Sequence, residues 1–247
     1  LNLRGLKLTN DSERFDLSFY ENEIVSITGL IGSGKTTLAS QIFGLTPNSK
    51  VKMTLNGNSY RPKSPKDAIA AGVFMCPKDR ASNAVISEFD ISNNLAVPFF
   101  KKHSSLSFLR PKSLTQNAKN SIDELGIVCQ SEIDSVTTLS GGNQQKVMVG
   151  RWLTEESFVL LLDEPFQGVD IKARRDIGLQ IRSTSGKRAT LIFVAELDEA
   201  LEIADRVIVL HEGNLVGEYQ NKSKNIPEIV SSFSGSTYKQ DSSNYGT

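Results

Sequence analysis

The run Gly29-Leu30-Ile31-Gly32-Ser33-Gly34-Lys35-Thr36 sits between a segment rich in β-branched residues, Glu23-Ile24-Val25-Ser26-Ile27-Thr28, and a helical pattern from Lys35 through Leu38 to Phe43. These flanks predict a buried strand, a tight turn and a helix. Glycines at 29, 32 and 34 let the turn take positive φ and point its amides inward, where the helix N-terminus already favours an anion. The spacing is G-x-x-x-x-G-K-[ST], a phosphate-binding loop. Lys35 is expected to reach the β- and γ-phosphates, Ser33 and Thr37 to complete the cradle, and Thr36 to ligate Mg2+.

A phosphate loop says only that a nucleotide binds, so the next acidic segment matters. Phe158-Val159-Leu160-Leu161-Leu162 is a continuous apolar run, as expected of a central parallel strand covered on both faces. It delivers Asp163 and Glu164 to its C-terminal end, the edge where open α/β sheets place ligands. A carboxylate pair there could cap a helix or lie in a solvated turn. Behind a phosphate loop it points to Asp163 holding Mg2+ through water and Glu164 polarising the attacking water.

Between the two lies Leu139-Ser140-Gly141-Gly142-Asn143-Gln144-Gln145-Lys146. Ser140 and the two glycines open a helix running through Val147 to Trp152, so unpaired N–H groups and a positive dipole end face outward. This string resembles the signature of ABC-type ATPases, and its Asn-Gln-Gln-Lys extension looks like the second nucleotide-binding domain of bacterial sugar-type (ribose, galactose, xylose) importers. The resemblance covers nearly the whole chain. It includes a capped helix over Ser64-Pro65-Lys66-Asp67 to Gly72 and a segment Val73 to Arg80 similar to one ending Pro-Glu-Asp-Arg. It continues through Gln167-Gly168-Val169-Asp170, like the loop that reaches across a dimer interface, to a strand, helix and strand over Thr190–Leu210, with a hairpin turn at Glu212-Gly213-Asn214.

The resemblance implies an α/β P-loop NTPase of ABC type: a RecA-like core with an antiparallel β edge over 1–80 and 151–230, and a helical lobe over 81–150 that contacts a permease. It implies ATP and Mg2+ as cofactors, ATP hydrolysis coupled to uptake of a sugar or similar small solute, and a place on the cytoplasmic face of the membrane. The partners it implies are a second ABC ATPase domain, transmembrane permease subunits and, indirectly, a solute-binding protein. Ser140, Gly141 and Gly142 would then serve the nucleotide of the opposite domain, not their own.

Departures from the family pattern carry as much information. Lys78 stands where many relatives carry a glutamine and sugar importers a glutamate; an ammonium cannot accept a proton from water. Ala195 stands at the switch-histidine position, so no imidazole contacts the γ-phosphate from there. No aromatic precedes Arg14 to stack adenine, and Phe15 and Tyr20 are offset. Conversely, Lys35 is retained where sugar-type second domains often show Arg. Together these suggest a half that binds nucleotide, hydrolyses it poorly, and lends an intact signature to its partner.

Composition narrows the classes further. The chain has 247 residues with 28 basic and 28 acidic side chains and zero formal charge, which gives no electrostatic footprint for nucleic acid. Lys101-Lys102-His103 and Arg110-Pro111-Lys112 read as a solvated face. Two cysteines, Cys76 and Cys129, permit no disulfide framework and suit a reducing cytosol. No apolar run reaches the ~18 residues of a spanning helix, and no signal peptide is visible. The segment from Ser231 to Thr247 is Ser-rich and aperiodic and is expected to be disordered. A start at Leu1 inside a strand-like segment suggests an excised piece with a first domain missing upstream.

Two other classes stay open. A non-hydrolysing regulatory module is motivated by Lys78 and Ala195. A soluble ABC ATPase of DNA repair or translation would carry a long coiled-coil or zinc-bearing insertion or a basic surface, and neither is present. The absence of an Asn-Lys-x-Asp string argues against a GTPase.

Overall fold

The computed structural model describes residues 1–48, 50–78, 85–102, 104, 105, 108, 109 and 111–234. Its smaller sheet is antiparallel, built from β1 (Asn2–Leu6), β2 (Phe15–Ser18), β4 (Lys52–Leu55) and β5 (Asn58–Tyr60) in the order β2-β1-β4-β5. The larger sheet holds β3 (Glu23–Thr28), β6 (Val73–Cys76), β9 (Val159–Asp163), β10 (Ala189–Val194), β11 (Arg206–His211) and β12 (Asn214–Gln220). Its order is β12-β11-β3-β10-β9-β6, parallel except for the antiparallel edge strand β12. A two-residue pair, β7 (Ser104–Ser105) and β8 (Phe108–Leu109), forms a small separate hairpin.

The strands expected at 23–28 and 158–162 are both interior to the sheet, but the second is shifted by one residue: Phe158 is exposed outside β9 and Asp163 is its last member. Every residue of β9 and β10 is buried. That is the burial a strand receives when helices cover both faces of a parallel sheet, and it explains why these segments read as unbroken apolar runs. Register aligns their ends: Thr28 of β3 pairs with Val194, and Asp163 of β9 pairs with Phe193. The loops after β3, β9 and β10 therefore leave the sheet side by side.

Helix α1 (Lys35–Ile42) follows the glycine loop, and α2 (Pro65–Ala70) is capped by Ser64, whose hydroxyl accepts from the Asp67 amide at 3.3 Å. Further along come α3 (Ile91–Ala96), α4 (Pro111–Leu125), α5 (Gly141–Leu153), α6 (Ile171–Ser183), α7 (Leu197–Ile203) and α8 (Ile226–Phe233). One apolar cluster joins α1 to both sheets through Leu3, Leu38, Ile42 and Leu161, and a second joins α5, α6, α7 and α8 to the opposite face through Met148, Ile177, Ala200 and Ile229. A third, with Ile91, Leu95, Leu125 and Val147, binds α3 and α4 to α5. A Cβ at Gly150 would lie 2.2 Å from Leu125 Cδ1, so the glycine makes room for the Leu125 side chain between α4 and α5. Helix α5 is continuous across position 150 and packs into both the second and third clusters.

One expectation needs correction. Ser231 does not open the tail, because Ser231, Ser232 and Phe233 complete α8. The apolar spacing Ile226, Ile229, Val230, Phe233 is helical, and Ser232 is buried with its hydroxyl 2.6 Å from the Tyr219 hydroxyl. Residues 235–247, together with Asp79, Arg80, His103 and Arg110 of the expected segments, lie outside the described residues. Of the basic cluster, Lys102 is exposed and pairs with Glu155. Among the described residues no helix is long and apolar enough to cross a membrane.

Candidate nucleotide site

Gly29 and Gly34 show why the loop needs glycine. At Gly29 φ is +153°, and a Cβ would come within 2.1 Å of the Leu210 carbonyl oxygen; at Gly34 φ is +98°, and a Cβ would press on Leu8 at 3.0 Å. Gly34 is the N-cap of α1, and the first helical bond runs from the Leu38 amide to its carbonyl at 2.9 Å. The loop is braced from outside by the β11–β12 turn, where the Gly213 amide donates to the Ser33 carbonyl at 3.1 Å. The Lys35 ammonium is folded back onto the Gly29 carbonyl, and burial lowers its pKa.

The neighbouring loops converge on it. Lys35, Thr36, Thr37, Lys78, Glu164 and Ala195 border a single cavity of about 650 Å3. Asp163 lies beside it and is buried, with Oδ1 making no hydrogen bond. Burial, and next the neighbouring Glu164 charge, push the Asp163 carboxyl up to about 6, against the opposing influence of Lys78, Thr36 and Lys35. Glu164 adopts φ +50°, a left-handed conformation uncommon for a side-chain-bearing residue. Its amide donates to the Phe193 carbonyl at 2.8 Å, and its carboxylate accepts from the Ala195 amide at 3.2 Å. Backbone strain of this kind persists where the surroundings over-determine it and clusters at functional positions. Glu199 on α7 borders the same cavity, its carboxyl pushed up to about 7 by burial and by the Glu164 charge.

Ser140, Gly141 and Gly142 do not border this cavity. Ser140 is exposed and caps α5, accepting from the Asn143 side-chain amide at 3.0 Å and from the Asn143 backbone amide at 3.5 Å. Of the offset aromatics, Phe15 packs on the first apolar cluster and Tyr20 is exposed. Sequence reasoning overlooked two features here. The Ala195 backbone amide, rather than its side chain, anchors Glu164, and no residue-type pattern encodes that. The brace from Gly213 could have been sought in the Glu212-Gly213 turn, although the turn is nearly two hundred positions from the loop it supports.

The residues present fit a magnesium nucleotide. The Thr36 hydroxyl hydrogen-bonds the Asp163 carboxylate, so two hard oxygen ligands lie together, the buried Lys35 ammonium sits within the glycine loop, and the loop opens at a helix N-terminus. Among the described residues there is no group of three His, Cys, Asp or Glu side chains able to hold a metal alone. The remaining cation ligands would therefore be phosphate and water oxygens, the usual pattern for Mg2+.

The raised Asp163 pKa makes a stability prediction. A carboxyl whose pKa is higher folded than unfolded favours the native state below its ordinary value and loses that advantage as pH rises through the folded value, here about 6. In metal-free buffer at pH 8, Asp163→Asn is expected to stabilise the chain by about 2 kcal/mol, or raise its melting temperature by roughly 5 °C. The difference should shrink below pH 6. Thermal melts from pH 5 to 8 in EDTA measure it; equal melting temperatures at pH 8 would show that Lys78, Thr36 and Lys35 fully offset the burial of the carboxylate.

Fold and site together define an ABC-type P-loop nucleotide-binding cassette. The family model described as ABC transporter matches residues 12–167, and the chain belongs to that family. It is 34% identical over 95% of its length to the ribose import ATP-binding protein RbsA 2 of Rubrobacter xylanophilus, of which it covers 46%. It is 34% identical over 94% of its length to the arabinose import ATP-binding protein AraG of Pectobacterium atrosepticum, covering 46%. With the galactose/methyl galactoside import ATP-binding protein MglA of Fusobacterium nucleatum it shares 32% identity over 93% of its length, covering 47%. The chain thus spans about half the length of the curated relatives it matches. Among solved structures, the ADP conformation of MJ1267, an ATP-binding cassette of an ABC transporter, superposes with a TM-score of 0.78 at 20% identity, over 95% of this chain and 98% of that one. The dimeric post-hydrolysis cassette MJ0796 bound to ADP and Pi superposes with a TM-score of 0.74 at 19% identity, over 90% and 99%. At these identities the structures speak for the fold.

Proposed function

We propose that this chain is the ATP-binding half, second in order, of an importer for a sugar or similar small solute, and that it acts with a second ABC ATPase domain, permease subunits and a solute-binding protein at the cytoplasmic face of the membrane. The reading rests on one arrangement above all: the buried Lys35, Asp163 and Glu164 gather at the C-terminal ends of β3 and β9, whereas the Ser140 cap of α5 is exposed and lies outside the cavity that Lys35 and Glu164 border. The relatives named as ribose, arabinose and galactose import proteins support the solute class. On this reading the core takes 1–80 and 151–230 and the helical lobe 81–150, with α5, Gly141–Leu153, crossing the boundary between them.

Within its own site, Gly29, Gly32, Ser33, Gly34, Lys35, Thr36 and Thr37 bind the phosphates of ATP, and Thr36 and Asp163 hold Mg2+. The cation, when bound, neutralises charge on the phosphate oxygens. Glu164 orients water, held by the Ala195 amide rather than by an imidazole. Lys35 stabilises charge that grows as the terminal phosphate is transferred. Lys78 attracts the nucleotide but accepts no proton. Hydrolysis at this site is slow on this reading, and Ser140, Gly141 and Gly142 complete the faster site on the partner's phosphate loop. Pairing of the two halves closes the permease cycle.

A trans-acting signature has a distinctive mutational result. Ser140→Arg is expected to leave ATP affinity of the isolated chain within about twofold, because position 140 lies outside the cavity, while abolishing ATP-driven association with the first domain by placing a bulky cation in the phosphate interface. Calorimetry and light scattering read the two effects. A variant that loses ATP binding as a monomer, or that still pairs normally, would overturn the split site. The non-hydrolysing regulatory reading, favoured by Lys78 and Ala195, is separated by turnover: no ATPase activity by this chain in the assembled importer, with Glu164→Gln silent, is its expected result.

A further inference from the structure

Lys78 stands where two cavities meet. It borders the nucleotide cavity together with Lys35 and Glu164, and it also borders a second cavity, of about 960 Å3, that Asp163 helps to line. Parallel register puts it there: Cys76, the last residue of β6, lies opposite Leu162 of β9, so Pro77 and Lys78 leave the sheet beside Asp163 and Glu164. The side chain is exposed, yet its charge acts on both sides of the junction. Burial and the Glu164 charge push the Asp163 carboxyl up, and Lys78 leads the groups that oppose them, ahead of Thr36 and Lys35. Lys35, lowered first by burial, is lowered further by Lys78. Among the described residues that border the nucleotide cavity, Lys35 and Lys78 are the cations, set against the carboxylates of Glu164, Glu196 and Glu199.

A fixed positive charge at such a place acts oppositely on two ligands, attracting a polyphosphate and repelling a divalent cation. We propose that the Lys78 ammonium takes over part of the divalent cation's role at this site, so that ATP binds here largely independently of Mg2+. Lys78 supplies counter-charge that draws the phosphates past the three carboxylates, and its repulsion weakens the hold of Thr36 and Asp163 on the cation. A glutamine at position 78 would offer the phosphates no charge, and a glutamate would repel them. With either, the metal has to supply what Lys78 supplies here. The inference rests on the nucleotide-binding reading above and adds to it the source of the charge that meets the phosphates.

The test uses the 247-residue chain. ATP affinity is measured by calorimetry with Mg2+ and again in EDTA, and the ratio of the two is the metal-dependent gain. In the unmutated chain that gain is expected to stay below about tenfold, the lower end of what one charge-assisted contact is worth. Lys78→Gln is expected to lower the EDTA affinity about tenfold and to raise the gain by about the same factor, leaving the affinity with Mg2+ nearly unchanged. Lys78→Arg keeps the charge and should behave as the unmutated chain does. Lys78 is exposed, so these variants are expected to fold normally. A gain far above tenfold in the unmutated chain, or an EDTA affinity that Lys78→Gln leaves unchanged, would overturn the role of Lys78 alone. A chain that binds ATP neither with Mg2+ nor in EDTA would overturn the nucleotide-binding reading together with it.

Discussion

Glu164→Gln in this chain is expected to lower solute uptake by the assembled importer far less than the matching substitution in the first ATPase domain, with a contrast of roughly 10²- to 10³-fold, the usual cost of removing one transition-state contact. The expectation follows from what surrounds Glu164. Its carboxylate is aimed by a left-handed backbone and tied to the Ala195 amide, so the water-orienting group is present. Ala195 itself offers no side-chain donor to the terminal phosphate, and the exposed Lys78 beside the cavity supplies charge without an acceptor. Most turnover would then occur where the first domain's phosphate loop meets Ser140, Gly141 and Gly142 of this chain. Transport assays on vesicles containing either variant decide the matter. Equal losses would show that the Ala195 and Lys78 half hydrolyses ATP competently, and the asymmetric reading would fall.

Lys35→Ala is expected to weaken binding of magnesium–ATP to the isolated chain by about 2–3 kcal/mol, or roughly 30- to 150-fold, the range for losing a charge-assisted contact to phosphate. The ammonium is buried and already desolvated, its pKa lowered by burial, and it rests on the Gly29 carbonyl within the loop it serves. A nucleotide phosphate would therefore gain a cation that has little hydration left to lose. Calorimetric titration checks the value. A loss below threefold would place Lys35 outside the phosphate cradle, and an unmutated chain that binds no nucleotide would remove the basis of the whole functional reading.

The local elements around the site were legible because their signals are short-range. Gly29, Gly32 and Gly34 are required where φ is positive, Ser64 and Pro65 mark a helix start by hydrogen-bonding and ring geometry, and the β9 run is apolar because both sheet faces are covered. The C-terminal boundary was misplaced because serines at 231 and 232 read as loop, while the packing of Ile229 and the Tyr219–Ser232 hydroxyl contact holds them in α8. Polar composition outweighed a four-residue apolar stripe only until a tertiary surface was available to receive it.

By itself the sequence determined the order of strand, glycine loop and helix, the acidic end of β9, the capped signature helix and the family to which they belong. Each depends on neighbours within a few positions, where backbone sterics and capping act regardless of the rest of the chain. Only the tertiary structure decided that Ala195 serves through its amide, that Gly213 braces Ser33, and that the Asp163 carboxyl is pushed up to about 6. Those properties arise from desolvation and from contacts between residues up to about 180 positions apart, created when parallel register brings the ends of β3, β9 and β10 together.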